Sequence, residues 1–281
     1  QPFRGGYHDF TISSGGVQVF PRLVAAEHRT GFSGELLRSG IPQLDNLLGG
    51  GIAAGSSTLV LGPAGTGKSL LTLQYVASAV ARGERSALFV FDEELGLLLA
   101  RAKGLGMDLV EMRESGKLFI EQVDAAELSP GEFSHRVRTV IDRENTRVVG
   151  VDSLNGYQAA MSEEQFITLH LHELLQYLNR RGAATFLTVA QHGMVGEMRQ
   201  PVDITYLADT VIMLRYFEAM GRVRRAISVI KKRTGAHEDT IRELRIAGDG
   251  LKLGKPLEEF QGVLRGVPSY VGKSGPLMES P

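Results

Sequence analysis

SSTLVLGPAGTGKS, residues 56–69, is the stretch that decides the fold. Its first half, SSTLVLG over 56–62, is a short apolar run and predicts a strand buried on both faces. Its second half, Gly62 to Ser69, matches G-x-x-x-x-G-K-S, and a helical pattern follows from Lys68. Strand, glycine-rich turn and helix in that order make a phosphate-binding loop. Glycines let the backbone curl with its N–H groups inward, and the helix N-terminus adds partial positive charge. The expected nucleotide contacts are Gly62, Ala64, Gly65, Thr66, Gly67, Lys68, Ser69 and Leu70. Lys68 is expected to reach the β- and γ-phosphates of ATP, and the hydroxyl of Ser69 to sit on Mg²⁺.

Outward from this loop, short apolar runs alternate with helical patterns. The strands are SALFVF (86–91), LFIEQV (118–123), RVVGVD (147–152) and ATFLTV (184–189), with helices starting near Lys68, Leu95, Pro130 and Ser162 between them. This rhythm predicts an α/β fold: a mostly parallel central sheet flanked by helices. The helix from Ser162 opens with Ser-x-x-Gln, a capping box, and carries Phe166, Leu169, Leu174 and Leu178 as its expected buried side. After about Ile204 the pattern turns to strands and hairpins, read as an antiparallel C-terminal extension of the same sheet.

Three further groups carry chemistry. VVGVD ends a buried strand at Asp152, where a carboxylate faces the phosphate loop and is expected to hold Mg²⁺ through water, beside Ser69. FVFDEEL sets Asp92, Glu93 and Glu94 directly after the second strand. Glu93 is the expected base that activates the attacking group, with Asp92 helping to order metal or water; a solvated acidic helix start is the simpler alternative. In ISVIKKRT, Lys231 and Arg233 lie two apart, so on a strand both project from one face, and Arg225 shares their parity. They form either a solvated basic edge or a clamp on the phosphates held by a neighbouring subunit.

Composition narrows the class. The 281 residues are 43% apolar, with 31 basic against 32 acidic side chains and no cysteine. A near-neutral total gives no reason to expect nonspecific nucleic-acid binding, and the lack of cysteine excludes disulfides and thiolate metal sites. No apolar run has the roughly 18 residues that cross a bilayer, so a cytoplasmic protein with no membrane partner is the expectation.

HDFTISSGGVQV (8–19) returns as RELRIAGDGLKL (242–253) at a constant offset of 234 residues. Both read as strand, glycine turn, strand. The organisation expected is a closing hairpin of a preceding domain over 1–25, a linker over 26–38, one domain over 39–271 and a short tail over 272–281.

With these residues assembled, the chain resembles the KaiC family of RecA-like P-loop ATPases over about Ser39 to Val271. The likeness runs through SGIPQLDNLLGGGI, GPAGTGKS, the acids of FVFDEE, VDSL, ADTVIMLRYFE, RRAISVIKKRTGAHEDTIREL and FQGVLRGVPSY. The resemblance implies two such domains in tandem, a homo-hexameric ring with ATP between subunits, and a KaiB-like or other signalling partner. It places Glu93 and the loop on one side of each ATP, with Lys231, Arg233, Arg225 and His237 reaching across from the other. It also implies autophosphorylation, with Thr205 and Tyr206 of DITYLADT at the acceptor positions. Two departures bear on this: the family commonly has paired glutamates where this chain has Asp92 and Glu93, and Tyr206 is a longer, phenolic acceptor, which leaves Thr205 as the better one.

Two other functions keep the same sheet. A RecA-like recombinase or helicase would use the loop QHGMVGEMRQPVD (191–203) on DNA, but that loop has one Arg, one Glu and no aromatic residue. A scaffold assembled by ATP with little turnover is the other alternative, favoured by the shorter Asp92.

Overall fold

The computed structural model describes residues 5, 8–23, 34–124, 128–159, 164–191, 205–265 and 269–272, with backbone alone at 143–144, 164–167 and 265. The capping-box Ser162 and the loop 192–203 lie outside these residues. In chain order, β1 (Asp9–Ser13) and β2 (Gly16–Phe20) form a hairpin, and β3 (Leu36–Leu37), α1 (Pro42–Leu47) and β4 (Ile52–Ala53) lead into β5 (Ser57–Gly62) and α2 (Lys68–Ala81). Next come β6 (Ser86–Val90), α3 (Leu95–Lys103), α4 (Leu109–Glu114), β7 (Leu118–Gln122), α5 (Pro130–Glu144), β8 (Val148–Asp152), α6 (Leu154–Ala159), α7 (Glu164–Arg180) and β9 (Ala184–Ala190). The strands β10 (Thr210–Ala219), β11 (Arg222–Lys232), β12 (Ile241–Ala247), β13 (Gly250–Pro256), β14 (Phe260–Gln261) and β15 (Ser269–Tyr270) follow, with a 3-10 turn at Val263–Arg265 between the last two.

One nine-stranded sheet carries the fold, in the order β13-β12-β11-β10-β5-β9-β8-β6-β7. From β10 to β7 neighbouring strands are parallel, and β11 to β13 add the antiparallel extension. The extension therefore starts one strand later than the switch in pattern suggests, because β10 still runs parallel to β5. All six residues of β5 are buried, as a strand covered on both faces requires. One apolar layer joins the sheet to α2 through Val60, Leu71, Tyr75 and Phe186, whose Tyr75 and Phe186 rings stack at 4.6 Å. The other joins it to α5 and α7 through Leu61, Phe133, Leu174 and Leu178.

Helix ends follow local chemistry. Ser129 caps α5, its hydroxyl accepting from the Glu132 N–H at 3.2 Å, and Pro130 fills the first helical position where no N–H is needed. In α7 the buried stripe is Leu171, Leu174, Leu175 and Leu178, at helical spacing. Leu169 falls outside that stripe and is 40% exposed, contrary to the expected burial. Ahead of residue 39, β3 pairs with β4, and Leu37 enters the core at 2% exposure.

The hairpin β1–β2 repeats β12–β13 in register as well as in sequence. Phe10 pairs with Val19 and Ile12 with Val17, as Leu244 pairs with Leu253 and Ile246 with Leu251. Turn glycines Gly16 and Gly250 adopt φ of 109° and 108°. The faces differ in what covers them. Leu244, Leu251 and Leu253 pack on the α2 layer, whereas Phe10, Ile12, Val17 and Val19 are exposed. The opposite face of β1–β2 lies on α5, where the Gly131 N–H donates to Asp9 Oδ2 at 2.6 Å and Phe20 rests against His135. No helix among the described residues is long and apolar enough to cross a membrane.

Candidate active site

The phosphate loop leaves the carboxyl end of β5 and enters α2 at its first turn. Gly62 is required by crowding: a β-carbon there would fall 2.6 Å from the Leu214 carbonyl oxygen. Gly67, at φ 107°, turns the chain into α2 in a left-handed conformation that a side chain disfavours. Ala64 and Gly65 are exposed at the loop tip, while Thr66 is buried and its hydroxyl donates to the Pro63 carbonyl at 2.8 Å. Lys68 Nζ donates to the same carbonyl at 2.8 Å. Burial pulls the Lys68 ammonium below its usual range, and the nearby Asp152 carboxylate works against that fall. Ser69 is half-buried beside it, and Leu70 is buried in the α2 layer.

A cavity of about 500 Å³ opens at this loop, lined by Lys68, Ser69, Leu70, Arg101, Leu105 and Ile246 among others. Its apolar wall, including Leu105 on the turn after α3 and Ile246 on β12, escapes sequence reading because the wall comes from elements far apart in the chain. Ile246 sits close over Gly67, where a β-carbon would come within 3.3 Å of its Cδ1.

At the strand ends, Asp152 Oδ1 accepts from the Thr188 hydroxyl at 2.5 Å, which orients the carboxylate. Asn155 ties α6 to β9, its Oδ1 accepting from the Ala190 N–H at 2.7 Å and its Nδ2 donating to the Ala190 carbonyl at 3.1 Å. The three consecutive acids part company. Asp92 accepts from the Ser153 hydroxyl. Glu93 binds Arg101 through both oxygens, Nε to Oε1 at 3.1 Å and Nη2 to Oε2 at 2.5 Å. Glu94 caps α3, accepting from Gly96 and Leu97 N–H at 2.9 and 2.8 Å, and these bonds hold its carboxyl below the usual range. The solvated-helix-start reading thus describes Glu94, while Asp92 and Glu93 face other partners.

The basic residues near the end separate into two places. Lys231 Nζ donates to the Thr205 and Ala208 carbonyls at 3.0 and 2.7 Å, and Arg233 Nη2 to the Tyr206 carbonyl at 3.1 Å. Arg233 also pairs with Asp209 at 3.8 Å. The expected shared face with Arg225 does not hold. Register shifts at Val211/Ile212, so Ile230 is an extra residue and the side chains beyond it change faces. Arg225 lies opposite Tyr216 on the α2 side, its Nε donating to the Gly65 carbonyl of its own loop at 3.2 Å. His237 is half-buried in the turn after β11, where the neighbouring Glu238 N–H donates to the Leu47 carbonyl at 3.0 Å. Thr205 is half-buried and Tyr206 exposed.

A parallel sheet with a glycine-rich loop from a central strand into a helix N-terminus, and a strand-end carboxylate near its lysine, defines a P-loop ATPase domain. The chain belongs to the KaiC family: the family model described as "ATPase: KaiC" matches residues 37–258. It is 30% identical over 271 residues to the circadian clock protein KaiC3 of Synechocystis sp. (strain ATCC 27184 / PCC 6803 / Kazusa), covering 96% of this chain and 53% of that protein. It is 31% identical over 269 residues to the circadian clock oscillator protein KaiC of Prochlorococcus marinus (strain MIT 9313), covering 95% and 53%. Against the KaiC oscillator protein of Synechococcus elongatus (strain ATCC 33912 / PCC 7942 / FACHB-805) it is 30% identical over 268 residues, covering 95% and 51%. The chain spans about half the length of these curated relatives.

Proposed function

We propose that this chain is a Mg²⁺-dependent ATPase acting in a ring of its own copies, and that it passes phosphate to Thr205 of a neighbouring copy. The observation that carries this reading is the placement of two chemistries at opposite ends of one sheet. Thr58 of β5 lies beside Thr210 of β10, and Leu61 beside Met213. Lys68, Ser69 and Asp152 therefore belong to the carboxyl ends of the strands, and Thr205, Tyr206, Lys231 and Arg233 to the amino ends. The four residues of strand between them span about 13 Å. A γ-phosphate held by the loop lies beyond the reach of this chain's own Thr205. In a ring, the patch of one copy meets the loop of the next, and Lys231 and Arg233 meet the phosphates there. Arg225 is left to brace its own loop.

Within the site, Lys68 holds the β- and γ-phosphates, the α2 N-terminus adds its dipole, and Glu93 accepts the proton of the attacking hydroxyl or water. Ser69 and Asp152 offer a hydroxyl and an oriented carboxylate, a donor set that suits Mg²⁺ carried mainly by phosphates and water. When bound, that ion offsets the phosphates' negative charge. Residues 9–20 are, in the same proposal, the counterpart of β12–β13 belonging to a preceding domain, whose core would cover the exposed face of Phe10, Ile12, Val17 and Val19. The matched register and turn geometry support this.

The test is incubation with Mg-ATP while released phosphate and intact protein mass are followed together, with Lys68→Ala as the blank. A mass gain of one phosphate that maps to Thr205 supports the proposal. Phosphate release with constant mass leaves the ATPase and removes the autokinase. Tight nucleotide retention with neither change favours an ATP-assembled scaffold, a reading consistent with Asp92 and Glu93 both being engaged by neighbours.

A further inference from the structure

We propose that Arg101 is a positioning residue that controls when Glu93 is available, exchanging that carboxylate for a nucleotide phosphate. The inference rests on the reading of Glu93 as the base.

Arg101 sits in the last turn of α3, and its guanidinium forms a fork on both oxygens of Glu93, at 3.1 and 2.5 Å. A carboxylate gripped this way has its charge offset and both oxygens directed at nitrogen. Arg101 also lines the cavity at the phosphate loop, where it and Lys68 are the cations of the lining. Lys68 is buried and bonded to Pro63, whereas the Arg101 side chain is 38% exposed and has room to swing. The helix beneath it stays anchored, because Glu94 caps its first turn independently of Arg101.

A phosphate group presents the same two-oxygen edge to a guanidinium as a carboxylate does, with more negative charge. ATP entering the cavity draws the fork off Glu93, and the released carboxylate turns to the reacting hydroxyl or water. The substrate thereby frees the base that acts on it, and Glu93 competes with the nucleotide for one guanidinium.

That competition is measurable without catalysis. Binding of a non-hydrolysable ATP analogue is compared in the unmodified chain, Glu93→Gln, Arg101→Met and the double variant, with melting temperature as the folding control. Exchange predicts that Glu93→Gln tightens binding by about fivefold when Arg101 is present and has no such effect once Arg101→Met has removed the fork. Simple relief of charge repulsion predicts the reverse, a larger tightening in the Arg101→Met background, where Glu93 has lost its neutralising partner; that result overturns the proposal. Arg101→Lys keeps the charge without the fork, so it should recover part of the affinity and little of the coupling; full coupling with Lys would also overturn the exchange. If Arg101→Met does not fold, the Lys variant carries the cycle alone. Turnover by Glu93→Gln reports separately on the base: unchanged turnover removes that role whatever the binding cycle shows.

Discussion

The guanidinium of Arg225 lies over the ring of Tyr216, 5.4 Å from its centroid, while its Nε donates to the Gly65 carbonyl at 3.2 Å. Tyr216 reaches the same loop through its hydroxyl, which donates to the Ala64 carbonyl at 3.2 Å. The pair holds the outer side of the phosphate loop from β10 and β11 of the same chain.

Arg225→Ala should therefore weaken nucleotide binding within a single copy. A lost stacking contact and one hydrogen bond amount to about 1–2 kcal/mol, or roughly five- to thirtyfold in affinity. The loss should be the same at every protein concentration. Lys231→Ala should leave binding by dilute protein unchanged and lower turnover only where copies associate. Nucleotide titrations and turnover at two protein concentrations check both.

Twin positions in the two hairpins should respond oppositely. Leu244→Ala removes a side chain that is 1% exposed and is expected to cost about 2–5 kcal/mol in denaturant unfolding. Phe10→Ala, at the matching place in β1, removes one that is 58% exposed and should stay within about 0.5 kcal/mol in this chain.

Gly62→Ala places a β-carbon against the Leu214 carbonyl oxygen, a backbone atom that cannot swing aside as the end of a side chain could. Forcing β5 from β10 at the root of the loop should cost about 1–3 kcal/mol and abolish nucleotide binding. Calorimetric unfolding with and without ATP would show both, since the variant should lose the ATP-dependent rise in melting temperature.

Acid should loosen the start of α3. The folded Glu94 carboxyl lies below its ordinary 4.5, held there by the Gly96 and Leu97 N–H groups. Its contribution is complete above that ordinary value and is lost as pH falls through the lower folded one. Amide resonances of Gly96 and Leu97 should titrate together in that window, and Glu94→Gln should remove the transition while the rest of the spectrum stays.

The loop, the strand rhythm and Asp152 were legible because each depends on residues adjacent in sequence or on simple periodicity. What stayed hidden depended on register or on contacts between distant elements. Lys231 and Arg225 share parity on paper, and one extra residue at Ile230 sends them to opposite faces. Arg101 finds Glu93 across a strand end and a helix, eight residues apart, where neither period applies. Leu169 was apolar and near the stripe of α7, but the stripe from Leu171 to Leu178 leaves it facing out. Ile246 reaches the cavity from a strand nearly 180 residues beyond the loop it covers.

The central place of β5 bears on when the nucleotide site can come into being. Its neighbours are β9, from residue 184, and β10, from residue 210, so both of its ladders join segments more than 100 residues apart. Contacts of that separation form late and slowly. As the chain leaves the ribosome, Gly62 to Ser69 emerges well before β10, and its strand lacks a partner on one side until Met213 has been added. A nascent chain stopped before β10 should show no protection of the loop by ATP, although every residue of the loop is already present.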